Sequence, residues 1–163
     1  MSVAIHSAWH SMSSHFAVGF AMGASLLVII GLIAKLIGKR DFAEKLSYPV
    51  HVMSLLSLFA LILACASAVI DFPTATFAAS PWFRFKTTMA ILSFFIYAAM
   101  YYVFMLKRQE VWTDNAATAY VVVLAIVGGL TISLLGAAGG YMVQGHSVLD
   151  FLLKAFGVPM PRA

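Results

Sequence analysis

Residues 16–37 read FAVGFAMGASLLVIIGLIAKLI, an apolar run whose single charge, Lys35, falls in its last turn. A helix of about 20 such residues spans the roughly 30 Å of a bilayer's hydrocarbon core, and the long Lys35 side chain can reach the interface. Three more stretches meet the same criterion, at about 49–70, 87–106 and 116–141. Pro49 suits a helix start, because its missing N–H would have no partner in the first turn anyway. No strand-like alternation occurs in these runs, and a helix satisfies its own backbone hydrogen bonds, as the lipid phase requires.

The rest of the chain agrees with this reading. Of 163 residues, 63% are apolar and 10% charged, and the mean hydropathy is +0.97. A soluble domain of ~150 residues buries only about 70% of the surface its unfolded chain exposes, so this much apolar side chain excludes an ordinary water-soluble globule. The single cysteine, Cys65, excludes a disulfide scaffold and a zinc-finger pattern. Net charge is +4, yet no basic run exists to form a nucleic-acid footprint. Short connections make sequential helices antiparallel neighbours. The expected fold is therefore an all-α integral membrane protein, an antiparallel up-down bundle of four transmembrane helices, in one domain over 1–163. Residues 147–163 form a C-terminal tail along the interface.

Orientation follows the distribution of basic residues. Lys35, Lys39, Arg40, Lys45, Lys107 and Arg108 lie on one side, against Arg84, Lys86, Lys154 and Arg162 on the other. This balance of six to four predicts both termini outside the cytoplasm. No Lys or Arg precedes Lys35, so the start lacks the basic region of a signal peptide. Trp9, Trp82 and Trp112 fall near span ends, where amphipathic rings anchor at the interface.

Five histidines stand out in so apolar a chain, since imidazole near membrane depth is expensive without a partner. His6, His10 and His15 precede or open the first span, and His146 follows the fourth on the same side. His51 begins the second span at the far side, roughly 30 Å away, and cannot share their centre. His6 reads as a solvated terminal residue and His51 as an interfacial one. On a regular helix His10 and His15 diverge by about 140°, unless the chain bends near Ser11–Ser14.

Haem iron takes axial imidazoles, and a bundle core is a usual place for such a group. His15 and His146 are placed to approach a haem b from opposite sides, with His10 as a further candidate ligand. Arg84 and Lys86 are placed to pair with its propionates. Copper on two or three of these imidazoles is the alternative. Gly136 and Gly140 form a GxxxG spacing, which admits either a neighbouring helix or a flat ligand.

These residues carry a resemblance. His10-Ser-Met-Ser-Ser-His15-Phe16 resembles the HPxxxHF opening of a bacterial four-helix membrane family of unknown function. Ala64–Asp71, ACASAVID, is similar to the small-residue run that ends that family's second span. Gly139-Gly140-Tyr-Met-Val-Gln-Gly-His146 matches in part its GG…HG close. The similarity covers about Trp9–Val148. It departs at Ser11, where proline is usual, and at Lys86, where members often carry a histidine. The resemblance implies a b-type cytochrome-like protein with His10, His15 and His146 as the matching histidines and a Rieske-type module as a partner.

The expected function is an electron-transfer subunit of a bacterial inner membrane. It would pass electrons between the quinone pool and a Rieske-like or cytochrome partner at the outer face. No nucleophile–base set, phosphate loop or carboxylate pair supports an independent enzyme. A cofactor-free assembly subunit, within a larger membrane complex or homo-oligomer, is the second reading. A proton or metal-ion transporter is the third.

Overall fold

In the computed structural model the described residues form four long helices and shorter helical segments, with no strand among them. The structure describes residues 2–71, 81–144, 150–155 and 157, with side chains for 10, 12–70, 83–139, 150, 154, 155 and 157. His146, Asp71 and the tryptophans Trp9 and Trp82 have no described side chain, so the readings attached to them lie outside these residues.

The long helices are α1 (Ser2–Leu36), α3 (Ser47–Asp71), α4 (Pro81–Lys107) and α5 (Asn115–Gln144). Two six-residue helices, α2 (Arg40–Lys45) and α6 (Asp150–Ala155), and a 3-10 turn at Arg108–Trp112 are the other helical elements among the described residues. Four segments are long and apolar enough to cross a membrane, at Met12–Leu36, Arg40–Ile70, Phe83–Trp112 and Asn115–Gly139. The protein is an all-α multi-pass membrane bundle. Its helices close a ring, with α1 against α3 and α5, and α4 against the same two.

The ring faces inward with small residues. Along α1 the buried positions Ala17, Ala21, Ala24 and Val28 recur every three or four residues, the spacing of a bundle seam. Ser54 and Ser57 on α3 are fully buried. Each hydroxyl donates to its own helix, Ser54 to Val50 O at 2.8 Å and Ser57 to Met53 O at 2.7 Å. Small side chains let membrane helices approach closely where lipid removes the hydrophobic drive between them. The outer faces stay apolar, as with Leu26, Ile33, Phe59 and Phe95, all exposed.

The turn after α1 is set by Gly38 at φ +81°. Its N–H reaches Lys35 O at 3.1 Å, and the Lys39 N–H reaches Ala34 O at 2.8 Å. This pair of bonds is a Schellman close, which favours glycine at the left-handed position. The chain then passes through α2, whose Ala43 is fully buried.

The start of α5 is capped by Asp114, whose Oδ1 accepts from the N–H groups of Ala116 (2.9 Å) and Ala117 (3.1 Å). Lys107 Nζ lies 3.1 Å from Oδ2. The Ala117 N–H, then Lys107, hold this carboxyl below its ordinary value. A depressed folded value contributes stability that is complete above the unfolded carboxylate value and is lost as pH falls through the lowered one. Asp114→Asn should therefore keep the cap but flatten the acid limb of a stability–pH curve followed by circular dichroism in detergent. An unchanged acid limb would count against this assignment.

One end of the bundle is sealed. Trp112 and Val111 of the 3-10 turn are fully buried, and Trp112 Nε1 donates to Ser47 Oγ at 2.9 Å. Trp112 thus lies at a span end as expected, but inside the protein rather than as a lipid-interface anchor. Its ring sits over Gly31, which has no side chain to obstruct it. Lys35 Nζ donates to Asn115 Oδ1 (2.9 Å) and Thr118 Oγ1 (2.8 Å), tying the last turn of α1 to the first turn of α5.

Candidate functional site

At the opposite end, where α1 begins, the four long helices line a cavity of about 750 Å³. Chain direction grades its polarity. The helices α1 and α4 run inward from this end, while α3 and α5 run outward toward it. At the rim are His10, Ser14 and His15 of α1 and Lys86 and Thr87 of α4. Deeper in, the walls are Ala17 and Val18, Leu61 of α3, Ala90 of α4 and Leu135 of α5. Ala68, Val69 and Phe83 line the same level as the rim, so the hollow is mainly apolar with its few polar groups gathered toward the open end, the usual form of a small-molecule site.

α1 is an unbroken helix from Ser2 to Leu36, so no bend at Ser11–Ser14 brings His10 and His15 to one side. They line the cavity from different faces of the same helix. His10 faces α3, where its Nδ1 lies 3.0 Å from Ser67 Oγ. Ser67 Oγ lies 3.2 Å from Ser13 Oγ and donates to Ala64 O at 2.9 Å, while Ser13 donates to His10 O at 3.1 Å. This chain of hydroxyls fixes the imidazole plane, as the second partner of a ligating histidine commonly does. His15 shares its face with Val18 and Met22, three and seven residues on. Both meet α5: a Cβ on Gly136 would lie 3.6 Å from Val18, and Ser133 Oγ lies 3.5 Å from Met22 Sδ. His15 therefore stands toward the helix that leads into His146.

The two cations expected near the site separate. Arg84 is exposed and does not line the cavity. Lys86, read from the sequence as the end of a loop, lies five residues inside α4 and lines the cavity. Its Nζ is 3.7 Å from where a Cβ on Gly139 would stand. Gly136 and Gly139 both face the hollow, so the glycine run of α5 opens space as well as packing helices. Gly140 has no described side of its own.

Sequence reasoning did not single out Ser67, Ser14 or Thr87, though Ser67 falls within the quoted ACASAVID run. Cys65 of α3 is exposed and lines the cavity. Among the described residues no three His, Cys, Asp or Glu side chains converge to hold a metal ion.

The donor set fits a haem in kind. It offers imidazole nitrogen, an ammonium for an acidic edge group, and a wall of two glycines whose Cβ atoms would narrow the hollow. Two histidines of one straight helix, about 140° apart, cannot grip one iron from opposite sides. A second ligand to such an iron would have to come from outside α1, and His146, beyond the end of α5, is the histidine the sequence offers there. Comparison with models of known families, with characterised proteins and with solved structures yields no match.

Proposed function

We propose that this protein is a membrane electron-transfer subunit that carries a b-type haem in the hollow end of its bundle, with His15 and His146 as axial ligands. The observation that carries this reading is the position of His15. It lines a cavity of about 750 Å³ on the face of α1 that meets α5, and His146 follows the last residue of α5 by two positions. A haem bound here supplies one-electron chemistry. The protein's part is to choose its ligands, bury it and set the charge around it. His10, tied to Ser67, lines the mouth beside it. The apolar floor of Ala17, Leu61 and Ala90 would exclude water from the inner side of a group held there.

In this reading electrons pass between the quinone pool and a Rieske-like or cytochrome partner that docks at the hollow end. The six-to-four balance of basic residues supports placing the hollow end outside the cytoplasm of a bacterial inner membrane, with both termini there. The resemblance of the His10–Phe16 and Gly139–His146 segments to the HPxxxHF family points the same way.

The test is a dithionite-reduced minus oxidised visible spectrum of the protein purified in detergent from haem-replete cells. A b-type α-band is expected, absent in both His15→Ala and His146→Ala variants and retained in His51→Ala. A colourless, folded wild type would overturn the haem and favour a cofactor-free assembly subunit. Copper found by metal analysis in its place would move the site to the imidazole–copper alternative.

A further inference from the structure

Lys86 places a formal positive charge at the rim of a mainly apolar hollow, with no acidic side chain lining that hollow among the described residues. Among the described residues it has no hydrogen-bond or ion-pair partner, unlike Lys35 and Lys107, whose ammonium groups are engaged. Its Nζ lies against Gly139 of the neighbouring helix, so the head group crosses the wall between α4 and α5 at the cavity. A charge at such a site is costly unless it is paired. One turn deeper, Ala90 of the same helix faces the same space beside Leu61 and Ala17, with nothing polar to satisfy a ligand's inner end. A cation at the rim over an apolar floor is matched by a molecule with an acid at one end and hydrocarbon or a flat ring at the other.

We propose that the cavity selects a carboxylate-bearing amphiphile, with the acid group bound by Lys86 and the apolar body seated between Ala17, Leu61 and Ala90. The inference shares its cavity with the haem reading and rests on it only when the acid is a porphyrin propionate. The same chemistry serves a long-chain fatty acid entering from the bilayer. Neither case needs iron for the acid contact.

The experiment compares each acid with its own methyl ester on the full chain in detergent. The probes are 11-(dansylamino)undecanoic acid, followed by fluorescence, and haem, followed by absorbance. Wild type should bind each acid about tenfold or more tighter than its ester, the range of a charge-assisted bond withdrawn from water. Lys86→Met should abolish that preference, bringing acid affinity down to that of the ester, with the far-ultraviolet circular dichroism of the variant in detergent reporting that the bundle is still folded. Lys86→Arg should keep the preference. Uptake of the fatty acid with acid selectivity but no haem band overturns the haem reading alone. A haem band with equal affinity for haem and its dimethyl ester overturns this inference alone. Selectivity that persists in Lys86→Met, or failure of wild type to bind any of the four probes, also overturns it. Maleimide labelling of Cys65, which lines the same hollow, should slow when the acid is bound.

Discussion

Valine in place of Gly31 is expected to destabilise the bundle by about 3 kcal/mol or more, among the larger costs of overpacking a core. Even one methyl group at this position would overlap Cη2 and Cζ2 of Trp112. The indole cannot step aside cheaply. It is fully buried, its Nε1 is committed to Ser47, and Phe104 lies against it with ring centroids 6.1 Å apart. Moving the ring would strand Ser47 and open the junction between α1, α3 and the 3-10 turn. Equilibrium unfolding in mixed detergent micelles measures the cost. Trp112→Leu in the Gly31→Val background should return part of it, because residues in contact do not contribute additively. A Gly31→Val protein as stable as wild type would show that the seal is looser than described.

Tyr97→Ala should cost about 3–5 kcal/mol, the range for truncating a large buried aromatic, while Tyr97→Phe should cost no more than about 1 kcal/mol. Tyr97 is fully buried on α4, and its hydroxyl lies 2.9 Å from Ser25 Oγ on α1. The two helices are diagonal in the ring, so this side chain spans the interior from one to the other. Gly128 makes room for it: a Cβ there would come within 3.1 Å of the phenol oxygen and 3.0 Å of Ile96. The ring's volume thus matters more than its hydrogen bond, since helix–helix hydrogen bonds in membranes average only about 0.6 kcal/mol. Equal losses for the two substitutions would assign the role to the hydroxyl instead.

The spans were legible because the bilayer imposes one demand, about 20 apolar residues, that the sequence meets four times without ambiguity. The up-down order followed from short connections. The interior was less legible. The helices are apolar all round, so the buried stripe of Ala17, Ala21, Ala24 and Val28 has little contrast with the lipid-facing side chains. For the same reason Trp112 read as an interface anchor, because nothing in its neighbours announces that Gly31, eighty-one residues earlier, is its seat. At the hollow end, His10 and His15 were recognisable from their cost at that depth. Their opposite facings, and the partnership of His10 with Ser67 fifty-seven residues away, depend on the rotation of α1 within the ring. Lys86 was seen as a charge near the site, but not as a residue within the helix wall. A boundary shift of a few residues at Pro81 made the difference.

The contrast between the two ends gives the bundle a polarity of traffic. Val28, Val111, Trp112 and Val121 leave no measurable surface at the sealed end, and the hollow stops at the level of Leu61 and Ala90. Whatever lodges beside His15 and Lys86 has a blind alley beneath it, so exchange with the surroundings is confined to one leaflet. A ligand of this hollow supplied from the other leaflet would first have to flip across the lipid, which would make the sidedness of supply, as well as affinity, set the rate of loading.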